Sequence, residues 1–260
     1  MNLKTPDEIK RMREAGLLLW QTHELIRSLL APGITTFELN REAENFIYAH
    51  NAVPLFKGVP GKVPFPAGVC ASLNEEVVHG IPSERKLQNG DIISIDIGVK
   101  LGGWCADAAV TCPVGTPVDE KDLHLLKVTE ECLRMDITLL PQKSKWSKVV
   151  KHSYKYVRDA GFSVIDELAG HAIGTQLWES PQVPNFIPAP AADFKLRPGL
   201  VIAIEPMIAA GSRTMKLLDD GWTYVTKDGS RSAHFEHTVA LTEHGTVVLT
   251  CGPNGEGWAV

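Results

Sequence analysis

The amino-acid sequence predicts an α+β protein built from two similar halves. In each half, two segments with the apolar spacing of a helix precede segments with the alternation of a β-strand. The chain has 260 residues, of which 44% are hydrophobic and 22% charged, so it carries enough apolar material for a buried core. We therefore expect one domain over 1–260, with halves of about 1–115 and 116–260.

Four segments are predicted to be helices. In the first, Pro6 opens the run, Thr5 is available as the N-cap, and apolar residues recur along one stripe. The Ala31-Pro32-Gly33 segment ends it. The predicted helices are 6–30, a segment that starts after Thr36, 119–139 and 145–160.

Seven segments have the alternation or the β-branched content of strands. They are 69–73, 91–99, 104–111, 201–208, 222–226, 233–242 and 246–250. Two segments, 56–66 and 181–190, are so rich in proline and glycine that we expect loops there.

Composition excludes several classes of protein. The net charge of −5 argues against a DNA-binding surface, which is usually basic. The sequence has no apolar run of about 18 residues, as a membrane span requires, and its first ten residues carry charges where a signal peptide needs an apolar run. The five cysteines are scattered without a CxxC pair, which indicates reduced thiols. These features predict a cytoplasmic protein without a membrane or DNA partner.

Two carboxylates lie in apolar strand segments, Asp96 in Ile95-Asp96-Ile97 and Asp107 in the next strand. If Leu101-Gly102 is the hairpin turn, Asp96 faces Asp107, whereas a Gly102-Gly103 turn shifts the pairing by two residues. Two such carboxylates repel each other unless a cation lies between them. A metal site and a pair of separate capping or edge carboxylates both remain open from the hairpin alone.

Three further residues have the same chemistry. Glu205 and Glu236 also lie in apolar segments, and Pro206 places Glu205 at a strand edge or bulge. Glycines flank His171 and allow a close backbone approach. Four carboxylates and one imidazole suit two neighbouring divalent ions.

Several longer motifs carry a family resemblance. NEEVVHGIP, DIISIDIG, CADAAVT, GHAIGTQLWESPQVPN, LRPGLVIAIEPM and SAHFEHTVALT occur in this order, and together they resemble the methionine aminopeptidase signature along nearly the whole chain. Only 34 residues separate His171 from Glu205, so type 1 is implied, and the absence of a cysteine-rich extension suggests the short bacterial form. The resemblance implies the pita-bread fold, in which two pseudo-symmetric halves surround a curved antiparallel sheet with outer helices.

The resemblance also implies an activity and a site. It implies a hydrolase that removes the initiator methionine from nascent proteins, with two divalent ions (Co, Mn, Fe, Zn or Ni) as cofactors and a monomeric chain. The implied metal ligands are Asp96, Asp107, His171, Glu205 and Glu236. Asp107 and Glu236 would bridge both ions, and Glu205 would accept a proton from the attacking water. His79 would contact the substrate near the scissile amide.

The sequence departs from the family pattern at the site. Trp178 replaces a histidine that follows the ligand histidine by seven residues, and we hypothesise that His234, on the same strand face as Glu236, supplies the missing imidazole. A cavity-wall residue is the alternative for His234. The expected methionine pocket includes Phe65, Cys70 and Trp222, and Leu177 stands where an aromatic residue is common.

Other interpretations remain open at this point. A prolidase-like or Xaa-Pro aminopeptidase shares the fold and the ligands, a weakly active or inactive pita-bread module would bind peptides only, and an acidic scaffold would bind no metal. Trp178 favours the binding module. A basic stripe over 148–158 is interpreted as a solvated face, with docking on the ribosome as the alternative.

Overall fold

The four predicted helices are present in a computed structural model, which describes residues 1–116 and 118–257. Positions 258–260, at the end of the predicted domain, lie outside the described residues. The helices are α1 (Pro6–Leu29), α2 (Thr36–Ala49), α3 (Glu120–Leu139) and α4 (Trp146–Asp159), and a short 3₁₀ turn (Leu140–Gln142) follows α3.

The first two helices begin at reciprocal capping boxes. The Thr5 hydroxyl accepts the Glu8 backbone N–H, and the Glu8 carboxylate accepts the Thr5 N–H. Thr35 and Glu38 repeat this pattern at α2. Each box satisfies two backbone donors that a helix start otherwise leaves unpaired, which confirms Thr5 as the predicted N-cap.

The strands are more numerous than the sequence predicts, and several predicted strands are shorter or divided, whereas the two strands of the hairpin are longer. They are β1 (Val53–Pro54), β2 (Val69–Leu73), β3 (Glu76–Val78), β4 (Ile92–Leu101), β5 (Trp104–Pro113), β6 (Ser163–Val164), β7 (Ala169–Ala172), β8 (Glu179–Pro184), β9 (Val201–Ile204), β10 (Met207–Ala209), β11 (Met215–Leu217), β12 (Tyr224–Thr226), β13 (Ser232–His234), β14 (Glu236–Thr242) and β15 (Gly245–Val248).

Nine of these strands form the main sheet. Their order is β1-β4-β5-β14-β9-β7-β8, with β2 paired to β4 and β15 paired to β14. The pairs are antiparallel, and β5 beside β14 joins the first part of the chain to the last. Two three-stranded sheets, β13-β10-β6 and β11-β12-β3, complete the strands.

The helices cover the main sheet with apolar residues. Leu19 of α1 and Ile47 of α2 belong to the same buried cluster as Ile95 of β4. Trp146 of α4 and Leu133 of α3 belong to a second cluster that reaches β9 and β14. This arrangement confirms the α+β class, and it leaves the other face of the sheet free to build a site.

The hairpin register differs from the first alternative of the sequence analysis. Gly98 is opposite Asp107 and Asp96 is opposite Ala109, so Gly102-Gly103 is the turn. Both turn glycines have positive φ, 57° and 88°, which glycine adopts without a Cβ penalty. Asp96 and Asp107 are therefore diagonal neighbours on one face.

Part of a predicted loop is a strand. The segment 181–190 was expected to be irregular because of its prolines, but β8 extends through Pro184. Proline is tolerated there because β8 is the last strand in the sheet order, where an edge strand can dispense with some backbone donors. The predicted strand 201–208 is also broken, at Glu205-Pro206, into β9 and β10.

Candidate metal centre

The predicted ligands lie on one face of the main sheet. Asp96 is opposite Ala109, and Ala109 is in turn opposite Glu236. Directly opposed residues of antiparallel strands point to the same side, and Asp107, two residues from Ala109, shares that side. The two hairpin carboxylates and Glu236 therefore converge from three adjacent strands.

The other two residues come from the neighbouring strands. His171 on β7 is opposite Ala203 on β9, and Glu205 follows Ala203 by two residues. The break at Pro206 frees Glu205 from the ladder, and the Asn185 side chain donates to the Glu205 carbonyl at 2.9 Å. His171 and Glu205 thus enter the same space as the carboxylates.

Distances confirm that these groups lie close together. The His171 Nε2 atom is 3.5 Å from Asp107 Oδ2 and 3.8 Å from Glu205 Oε1. Ligand atoms of Asp107, His171 and Glu236 all lie within 4.8 Å of one another, as a metal ion requires. The His171 Nδ1 atom faces the Ala172 carbonyl at 3.0 Å, and this contact directs Nε2 towards the carboxylates.

The backbone approaches closely at this point. A Cβ on Gly170 would lie 2.4 Å from the Ala203 carbonyl oxygen and 3.1 Å from Glu205 Cγ. Only glycine fits between these atoms without displacing the backbone. The glycine before His171 is therefore explained by packing between β7 and β9.

The carboxylates are buried without enough partners. Asp96 Oδ1, Asp107 Oδ1 and Glu236 Oε1 are buried and have no hydrogen-bond partner. Burial, together with the neighbouring carboxylates, raises the pKa of Asp96 and of Glu236 well above the usual range, and burial likewise raises the pKa of Asp107. Burial raises the pKa of Glu205 to about 8. Such a concentration of buried carboxyl oxygens without partners fits divalent cations, which would supply the missing partners.

Two more histidines reach the same cavity. His234 is 2% exposed, and its Nε2 atom lies 3.8 Å from Glu205 Oε2 and 4.0 Å from Glu236 Oε2. Burial lowers the pKa of His234 to about 3 and that of His79 to about 4, so both imidazoles are uncharged at pH 7. His79 has a φ of 60°, a strained backbone conformation for a non-glycine residue.

The cavity has a volume of about 480 Å³ and an apolar end. Phe65 and Cys70 line it, and Phe65 meets Trp222 edge-on with ring centroids 5.3 Å apart. The Trp222 indole N–H donates to the Val63 carbonyl at 2.7 Å, which closes the 58–65 loop over this end. Phe56 and Met207 also line the cavity, although no sequence motif marks them as site residues.

Two predicted substrate residues occupy different places. Trp178 lines the cavity and is 57% exposed, so it lies at the mouth. Leu177 is not among the residues that line the cavity. It is 7% exposed and packs in a core cluster with Met12 and Ile173. Leu177 can therefore support the apolar end only from behind.

Comparisons with known proteins place the chain among metallopeptidases. The model of metallopeptidase family M24 matches residues 10–243. The chain is 48% identical to methionine aminopeptidase 1 of Bacillus subtilis, over 95% of this chain and 98% of that protein. It also resembles the crystal structure of methionine aminopeptidase from Rickettsia prowazekii, with a TM-score of 0.91 and 34% identity over 96% of this chain and 99% of that one.

A more distant neighbour shares the fold alone. The Xaa-Pro dipeptidase from Bacillus anthracis has a TM-score of 0.72 and 21% identity, and this chain covers 63% of its length. The closer structural similarities confirm the expected pita-bread architecture, a curved antiparallel sheet with outer helices. They do not favour the prolidase-like interpretation.

Proposed function

The chain belongs to metallopeptidase family M24, and from this premise we propose that it is a metal-dependent aminopeptidase that removes N-terminal methionine. The observation that carries the proposal is the cluster of Asp107, His171 and Glu236 in a cavity with an apolar end. Relatives that are named methionine aminopeptidase match nearly the full chain. The substrates would be the N-terminal peptides of nascent proteins.

The metal site we propose uses five side chains and two divalent ions. Asp107 and Glu236 would bridge the ions, Asp96 would complete one site, and His171 with Glu205 the other. The unpaired carboxylate oxygens and the mixed oxygen and nitrogen donors support this set. When bound, divalent ions lower the pKa of a water molecule and polarise the substrate carbonyl. The choice among Co, Mn, Fe, Zn and Ni depends partly on availability.

The remaining side chains would handle protons and position the substrate. Glu205 would accept a proton on its carboxylate from the attacking water. His79 and His234 are neutral, so each can donate one ring N–H towards the scissile amide or the developing oxyanion. Phe65 and Trp222 would hold the methionine side chain in the apolar end of the cavity.

The experiment that tests this function measures metal and turnover together. The purified chain should bind two divalent ions and hydrolyse Met-Ala-Ser with added Co²⁺, Mn²⁺ or Fe²⁺. His171→Ala should lose bound metal and turnover, whereas His152→Ala, an exposed histidine on α4, should keep both. Bound metal without turnover on any methionine peptide would favour the peptide-binding module instead.

Selectivity for the first residue is tested separately. Peptides that begin Met-Ala or Met-Gly should be hydrolysed faster than their leucine or proline analogues, because the apolar end fits an unbranched side chain. Equal rates on all of them would contradict a methionine pocket.

The role of His234 has its own test. His234→Gln should lower turnover on a methionine peptide, since the variant loses the imidazole beside Glu205. If His234→Gln leaves turnover unchanged while His79→Ala abolishes it, His234 only lines the cavity and has no part in the reaction.

We further propose that the halves of about 1–115 and 116–260 form a single catalytic unit and that the chain acts as a cytoplasmic monomer. Among the described helices, none has the length and apolar composition needed to cross a membrane. The exposed basic side chains of α4 are proposed as a solvated face. Contact with ribosomes is the alternative, which salt-sensitive cosedimentation tests.

A further inference from the structure

The mouth of the cavity is bordered by β8 and the residue before it. Trp178, Ser180 and Gln182 line the cavity and are exposed, whereas Glu179, which also lines it, is half-buried. Their exposure places these three side chains at the outer edge of the cavity. We call them the rim, and its members are two polar side chains and an indole.

The rim starts beside the candidate metal centre. Gln182 is opposite His171 in the β7–β8 pair, so both side chains lie on the same side of the sheet. Beyond the bulge, Glu179 at the start of β8 is opposite Ala172, and Trp178 is the residue before it. The rim therefore runs from a residue opposite His171 to an indole just outside the strand.

The segment that carries Trp178 is held firmly. The Glu179 Oε2 atom accepts a hydrogen bond from the Lys4 ammonium, with 2.5 Å between Nζ and Oε2. The Lys4 side chain is only 1% exposed. The other Glu179 oxygen accepts the Thr175 backbone N–H at 3.1 Å. This buried pair leaves the neighbouring indole exposed at a defined place.

The direction of a bound peptide follows from the two ends of the cavity. If the methionine side chain fills the apolar end near Phe65 and Trp222, and the scissile bond lies at the carboxylates, the rest of the peptide must leave through the mouth. The second residue of the peptide then passes Trp178. A tryptophan offers a flat apolar surface with little conformational freedom to lose.

We propose that Trp178 is a specificity-determining residue, which packs against the side chain of the second residue of the substrate and favours apolar side chains there. This inference rests on the proposed function, because it takes the orientation of the peptide from it. At position 178 the sequence has an indole where the family that it resembles has a histidine, which is smaller and more polar. The chain is thus expected to prefer a branched apolar second residue over glycine.

The test compares two peptides that differ only at the second residue, Met-Gly-Ser and Met-Val-Ser. The wild-type chain should have the higher kcat/KM on Met-Val-Ser. Trp178→Ala should lower the ratio of the two kcat/KM values roughly tenfold, mainly through a higher KM for the valine peptide. Trp178→Phe should retain most of the preference, because it keeps a flat ring. Ile187→Ala, which removes a side chain of similar exposure (53%) outside the cavity lining, should leave the ratio unchanged.

The outcomes separate this inference from the function. If the wild type hydrolyses both peptides and Trp178→Ala leaves their ratio unchanged, the subsite is overturned and the aminopeptidase activity stands. A ratio that falls equally in Ile187→Ala also overturns it, because the effect would not be specific to the rim. Absence of hydrolysis of both peptides by the metal-loaded wild type overturns the function, and the subsite with it.

Discussion

Asp136 carries a buried carboxyl that should make the stability of this protein depend on pH. It lies on α3 facing α4, is 0% exposed, and neither carboxyl oxygen has a hydrogen-bond partner. Burial raises its pKa from 3.8 to about 7, while the hydroxyl of Ser153 lowers it in part. The side chain belongs to neither the candidate site nor its rim, so its effect on stability can be measured apart from catalysis.

The sign follows from proton binding. Between pH 4 and pH 7 the folded chain keeps the Asp136 proton and the unfolded chain has lost it, so the free energy of unfolding falls as the pH rises. Above pH 7 both states are ionised and the penalty is constant. Two pH units between pH 5 and the pKa of about 7, at about 1.4 kcal/mol per unit, give a loss of about 3 kcal/mol.

Asp136→Asn removes the ionisation with little change of shape. The free energy of unfolding of this variant minus that of the wild type should therefore increase by about 3 kcal/mol between pH 5 and pH 8. Urea unfolding of the metal-free proteins measures it, and the metal-site carboxylates cancel in the difference because both proteins have them.

The control is Asp159→Asn, an exposed carboxylate on α4 paired with Lys155. Its difference from the wild type should stay nearly constant over the same pH range, because exposed pairs contribute little. A constant difference for Asp136→Asn as well would refute the reasoning, since Asp136 would then ionise in the folded chain as easily as in the unfolded one.

Three other substitutions test how the site is built. Gly170→Ala should destabilise the chain by about 1–3 kcal/mol, because the new Cβ meets the Ala203 carbonyl; thermal unfolding measures this, and an unchanged Tm would contradict it. Trp222→Phe keeps the ring but loses the hydrogen bond to Val63, so KM for Met-Ala-Ser should rise about 2- to 10-fold with kcat nearly unchanged; a fall in kcat alone would argue against a pocket role. Thr238→Val leaves the Asp107 backbone N–H without its acceptor, and urea unfolding should detect a loss of about 1–3 kcal/mol, whereas wild-type stability would show that another acceptor replaces it.

The helices were predictable from the sequence because their signals are local. Thr5 and Glu8 are three residues apart, as are Thr35 and Glu38, and each pair forms a capping box without help from the rest of the chain. The apolar stripe of each helix then determines which side is buried. The predicted bounds therefore agree with the observed ones to within about two residues.

The candidate ligands were also visible in the sequence, but their arrangement was not. A carboxylate such as Asp96 or Glu205 in an apolar strand is costly without a partner, so the sequence alone indicates that a partner exists. Which residues meet depends on strand register, and that is set by pairing across the sheet. The choice between two hairpin turns, open in the sequence, moved Asp96 from directly opposite Asp107 to a diagonal position.

By itself, the sequence determined the helices, the polar residues that need partners and the family signature, because each depends on residue type and short spacing. Only the tertiary structure decided that β8 is an edge strand through Pro184, that Leu177 faces the core and that Trp178 lies at the mouth. These placements depend on contacts between segments far apart in the chain. The side on which a residue lies changes with a shift of one position in register, and no local pattern contains that information.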